Sequence, residues 1–81
     1  MPITIDVEYT DTFAGEPNYS WVRRATLKVP EGLADATIMR RAKKAMGLSG
    51  LKGRTRSFGD CWDFVPHNVA TVLLVAVRDA P

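Results

Sequence analysis

Ile3, Ile5, Val7 and Tyr9 alternate with Thr4, Asp6 and Glu8 at the start of the chain. A period of two puts one set of side chains on each side of an extended backbone, which predicts a half-buried strand. Trp21, Arg23, Ala25, Leu27 and Val29 repeat the pattern against Val22, Arg24, Thr26 and Lys28, and Pro30 ends it. Between the two, Thr10 to Asn18 contains Asp11, Gly15, Glu16, Pro17 and Asn18. These are turn formers, so a hairpin with a long polar loop is predicted.

The period then lengthens. Ile38, Ala42, Ala45 and Met46 recur at helical spacing, with Leu33 and Leu48 flanking them. Asp35 is the expected N-cap, because its carboxylate can accept the free amides of a first turn. Gly47 suits a left-handed exit from the helix. After the loop LSGLKG (Leu48–Gly53), Arg54 to Phe58 reads as a short strand and Gly59-Asp60 as a turn. Cys61 to Val65 is a further strand with Trp62 and Phe64 on one side, and Pro66, His67 and Asn68 turn the chain again. Val69 to Arg78 (VATVLLVAVR) is apolar on both sides and rich in β-branched residues. It predicts a central strand covered on both faces, or one that meets a second subunit. The pattern as a whole predicts an α+β fold: an antiparallel sheet of four to five strands with one helix packed on a face, in the order ββαββ(β), forming a single domain over residues 1–81.

Composition narrows the class. Of 81 residues, 46% are hydrophobic and 25% charged, the balance of a globular protein and not of a disordered tail. A chain this short buries only about 60–65% of its unfolded surface, so both a monomer and a homodimer remain open. The single cysteine, Cys61, excludes an internal disulfide framework and a cysteine-rich zinc site, and suits a reducing cytosol. Residues 1–12 alternate and carry acids, unlike a signal peptide, and the apolar run Val69–Val77 is too short to cross a bilayer. A soluble cytoplasmic protein without cofactor or metal is expected.

Charge changes the picture most. The formal net charge is only +2, yet seven of the eleven basic residues fall between Arg40 and Arg56: Arg40, Arg41, Lys43, Lys44, Lys52, Arg54 and Arg56. No acid occurs between Ala36 and Gly59, whereas residues 1–22 hold Asp6, Glu8, Asp11 and Glu16 and no base. One-signed patches attract the opposite charge, so a surface for a polyanion or an acidic protein is expected. The competing structural explanation is a solvated helix side followed by an edge strand kept soluble by its charges. Tyr19 and Trp21, beside the expected loop, are candidate exposed aromatic anchors. Aromatic residues interleaved with Arg23, Arg24, Arg54 and Arg56 also allow single-stranded nucleic-acid binding. The glycines at 47, 50 and 53 follow a helix C-terminus, so they do not form the phosphate cradle that precedes a helix. Cys61 and His67 with Asp60 and Asp63 make no convincing nucleophile system, and a non-catalytic role is expected.

The segments DTFAGEPNYSWVRR (Asp11 to Arg24), RRAKKAMGLSG (Arg40 to Gly50) and GDCWDF (Gly59 to Phe64) resemble small accessory proteins of phages and prophages, the anti-CRISPR inhibitors among them. The resemblance implies a single-domain inhibitor in the host bacterial cytoplasm. Its implied partner is a CRISPR–Cas effector complex, of the type I Cascade kind, whose target binding or nuclease recruitment it blocks. The resemblance assigns no individual residue a role. Acidic mimicry of DNA does not suit the positive charge, so such an inhibitor would meet an acidic Cas surface or compete for nucleic-acid backbone.

Overall fold

The computed structural model describes residues 2–78. Its elements are β1 (Pro2–Phe13), β2 (Glu16–Pro30), α1 (Asp35–Ala45), β3 (Gly53–Ser57), β4 (Cys61–Pro66) and β5 (Thr71–Val77). All pairings are antiparallel, and the strands lie in the order β2-β1-β5-β4-β3. The class is therefore α+β with a five-stranded antiparallel sheet and one helix, as the hydrophobic pattern indicates.

Register sorts the strand residues into two sets. Ile5, Val7 and Tyr9 stand opposite Val77, Val75 and Leu73, and Trp62 and Phe64 stand opposite Val75 and Leu73. Except for Val77, which packs half-buried against it, they are buried with Val29 in one cluster with Ile38, Met39 and Ala42 of α1 and with Met46 just beyond it. The intervening residues, among them Asp6, Glu8, Leu74, Ala76, Asp63 and Arg56, occupy the opposite face. Truncating a fully buried member such as Leu73 removes transfer energy and leaves a cavity, a loss of about 2–5 kcal/mol.

Three expectations need correction. The long hairpin loop does not exist, since β1 runs to Phe13 and β2 starts at Glu16. Ala14 (φ 55°) and Gly15 (φ 82°) alone make the turn, and two positive φ values match the backbone twist of a two-residue hairpin. The turn-forming residues are absorbed by an irregularity between Thr10 and Thr12, beyond which β2 resumes pairing at Pro17. Polar residues are tolerated there because β5 accompanies β1 only over Ile5–Asp11, so the hairpin end projects into solvent. Asp35 is not the N-cap. Ala34 occupies that position without a side-chain cap, and the Asp35 carboxylate accepts the Ser57 hydroxyl at 3.2 Å. Third, of the two alternatives for β5, cover on both faces by this chain fails: the strand is central but covered on one side only over its later half. Val75 is buried, whereas Leu74 is half-buried and Ala76 exposed on the opposite face.

The helix does leave at Gly47, whose φ of 74° favours a residue without Cβ. The Leu48 amide donates to the Lys43 carbonyl at 2.8 Å, the six-to-one bond of such an exit. Gly53, at the start of β3, is required for a different reason. A Cβ there would meet the Val65 carbonyl, the Pro66 Cα at 2.7 Å and the Phe64 ring at 2.8 Å. Two of those are backbone atoms with nowhere to move. Gly53→Ala is therefore expected to lower unfolding free energy by about 1–3 kcal/mol in a urea titration, with the slope unchanged.

Candidate functional site

The seven cations do not form one surface. Arg40, Arg41 and Lys44 are exposed on α1, and none makes an ion pair among the described residues. At about 100° per residue the three fall on an arc of about 100°, turned away from Ile38, Ala42 and Met46. Lys43 lies on the flank instead. Its Nζ donates to the Leu51 carbonyl at 2.8 Å and sits 4.2 Å from the Phe64 ring centroid, so it is a structural residue. Lys52 is exposed in the loop before β3.

Arg54 and Arg56 stand opposite Val65 and Asp63, on the sheet face away from the helix cluster. The Arg56 guanidinium grips the Asp63 carboxylate through Nε–Oδ1 (3.0 Å) and Nη2–Oδ2 (2.7 Å), which raises its already high pKa. The Asp63 side chain is 10% exposed, so this pair settles a nearly buried charge. Two more pairs lie on the same face: Arg24 Nε donates to Glu8 at 2.8 Å, and Arg78 binds Asp6 through both Nε and Nη2. The acids of the N-terminal segment thus neutralise Arg24 and Arg78, not the basic stretch. A strand alternates its faces every residue, so no strand cation can join the helix arc unless its parity allows it.

Tyr19 and Trp21 also diverge. Tyr19 has φ of 54°, uncommon for a bulky residue, and its hydroxyl donates to Glu8 Oε1 at 3.1 Å. Desolvation, and then the Glu8 carboxylate, raise its pKa. Trp21 meets Tyr9 edge-on, with centroids 5.3 Å apart, on the helix side of the sheet. Both are exposed, at 48% and 41%, but Phe13 (75%) at the hairpin end and Phe58 (57%) are more so. The exposure of Phe13 becomes legible only once the hairpin is known to project.

Asp11 organises that projection. It accepts the Ser20 hydroxyl at 2.6 Å, the Asn18 side-chain amide at 2.9 Å and the Ser20 backbone amide at 3.0 Å. Those bonds, that from the Ser20 hydroxyl above all, hold its carboxyl well below the ordinary range.

Two cavities accompany these features. One, of about 740 Å³, runs between α1 and β3 and is lined by Asp35, Met39, Arg40, Lys44, Ser57 and Trp62 among others. Trp62 is 5% exposed, and its indole N–H is buried without an acceptor among the described residues. Such a group costs about 1–3 kcal/mol while unpaired. Sequence reasoning places Trp62 in the core, which is correct, but an unmet hydrogen bond has no sequence signal. The second cavity, of about 520 Å³, lies on the opposite face over Leu74 and Ala76, rimmed by Arg24, Asp63 and Arg78.

Cys61 opens β4 and is exposed, while His67 follows its last residue. Six residue steps of extended chain separate them by roughly 20 Å, too far for a nucleophile–base pair. Among the described residues no three His, Cys, Asp or Glu side chains group as metal ligands, and no helix is long and apolar enough to cross a membrane. No protein-family model, curated protein or solved structure matches the chain.

Two outcomes follow from the bonded carboxylates. Arg56→Ala strands the Asp63 charge and should lower the urea midpoint clearly, whereas Arg54→Ala, with no ion pair to lose among the described residues, should leave it in place. Equal midpoints would remove the distinction between the two arginines. For Asp11 the folded pKa lies below the unfolded value of about 3.9, so its contribution is complete above that value and fades as pH falls through the folded one. At about pH 3.5 the Ser20 amide should therefore still be protected from hydrogen exchange. Asp11→Ala should lose that protection at every pH.

Proposed function

We propose that this chain is a small non-catalytic binding protein that docks on an acidic protein surface through the outward side of α1. In this reading α1 lies along one sheet face, with Arg40, Arg41 and Lys44 turned to the partner. The observation that carries it is their selective freedom: Arg24, Arg56 and Arg78 are each neutralised by a carboxylate of the same chain, and among the described residues these three are not. Unpaired cations on one arc speed encounter and fix orientation. Following the resemblance to phage accessory proteins, the partner is a bacterial CRISPR–Cas effector complex of the Cascade kind. Occupying its surface would block target DNA binding or nuclease recruitment.

A second reading, a nucleic-acid-binding domain, is favoured by the groove that Arg40 and Lys44 border beside the same arc. The two separate by salt dependence. Neutralising three phosphates gives a log–log salt slope of about −3 in titrations with DNA or RNA.

The test of the first reading is co-purification of a Cascade-type complex with the wild-type protein and with Arg40→Glu/Arg41→Glu/Lys44→Glu. The wild type should be retained and the triple variant lost, while Arg54→Glu is retained. Retention of the triple variant, or loss of all three proteins, would overturn the assignment.

A further inference from the structure

β5 runs through the middle of the sheet, yet the residues it turns away from α1 have no cover over its later half. On that open face Leu74 and Ala76, with Cys61 and Phe58, floor the cavity of about 520 Å³. The Asp6–Arg78, Glu8–Arg24 and Asp63–Arg56 pairs flank this apolar floor. The same chain carries a feature of the opposite shape. β1 and β2 extend past the end of β5, and Phe13 stands at their tip with 75% of its surface exposed. Glu16, opposite Phe13, is exposed and makes no ion pair among the described residues. Nor does Lys28, which stands opposite Thr4 on the open face.

We propose that this open face is closed by the same face of a second copy of the chain, each hairpin end lying across the other's sheet. Sheets packed face to face lie about 10 Å apart with their strands nearly aligned. Phe13 is seven residues beyond Asp6 on β1, or about 20–24 Å. A twofold axis across the strands midway between them, near Tyr9 and Thr10, sets Phe13 of each copy level with Asp6 and Ala76 of the other. The ring then meets the apolar floor. The same rotation sets Glu16 level with Thr26 of the other copy, between Arg24 and the unpaired Lys28. Tyr19, held on this face by its bond to Glu8, comes near the axis. Knob and cavity, and acid and cation, are thus matched twice by one operation, as an isologous interface requires. Five strands give an overlap about 24 Å wide and about as long, which with side-chain relief approaches the roughly 800 Å² per partner of a standard interface. A foreign protein selected by charge finds little to read here, because Asp6, Glu8 and Asp63 already hold arginines. Arg40, Arg41 and Lys44 stay on the outside of the pair, so the dimer does not depend on effector docking.

Sedimentation equilibrium of the whole chain, with no effector present, tests this. The wild type should dimerise with a dissociation constant of about 100 µM or tighter. Phe13→Ala removes an exposed ring, should leave the circular-dichroism spectrum unchanged, and should weaken the dimer at least about tenfold. Glu16→Lys and Lys28→Glu should each weaken it about fivefold, as expected for one exposed ion pair, and together they should restore it. In a sample mixing labelled and unlabelled copies, the Phe13 ring should show intermolecular NOEs to the Leu74 and Ala76 methyl groups. A chain still monomeric at about 1 mM, or a Phe13→Ala dimer as tight as the wild type, would overturn the inference. So would a charge-swapped double variant no tighter than either single one, or intermolecular NOEs confined to the outer edge of β2.

Discussion

The fold depends on a narrow apolar contact. Three residues of one eleven-residue helix, Ile38, Met39 and Ala42, and Met46 just beyond it share a buried cluster with the alternate residues of the sheet. Ile5, Val7, Val29, Leu73 and Val75 reach 1% exposure or less, and no second helix exists among the described residues to cover the other face. Burial of apolar area is the dominant stabilising term in a domain, so losing this contact would expose the greater part of the core at once.

The asymmetry it creates governs the electrostatics. A sheet face without an apolar cover must be made compatible with water, and here that is done by carboxylate–arginine pairs across strands. Asp6 with Arg78, Glu8 with Arg24 and Asp63 with Arg56 span the sheet from β2 to β3. Cross-strand pairs of opposite charge support pairing, and their cations are no longer available to another molecule. The helix has no acid at the corresponding positions, and its outward cations make no ion pair among the described residues. The division between structural and available charge is thus a consequence of which element carries which residue.

The hairpin end shows a different balance. Ala14 and Tyr19 both adopt positive φ, which costs energy in residues that bear a Cβ. Asp11 offsets this by collecting hydrogen bonds from Asn18 and Ser20, and so fixes the bulged segment. Strain held by surrounding bonds in this way keeps Tyr19 against Glu8 and leaves Phe13 in solvent.

The chain's own pattern determined the class and most of the elements. Alternation in Ile3–Tyr9 and Trp21–Val29, the 3.6-residue recurrence from Ile38 to Met46 and the glycine at 47 are local signals, because burial on one side imposes a period on each element separately. The paired strand ends at Phe13 and Glu16 escaped that reading, since turn-forming residues describe what a segment tolerates and not where it projects. The basic stretch was legible as charge but not as a surface. Neighbours in sequence such as Lys44 and Arg54 are separated by a sheet, and only the register of β3 against β4 decided that Arg54 and Arg56 turn to the face opposite the helix. Only the folded chain, likewise, could bring Ser57 and Asp35 together, or leave the Trp62 indole N–H without an acceptor among the described residues. Hydrogen-bond satisfaction is a property of residues distant in the chain, and no periodicity records it.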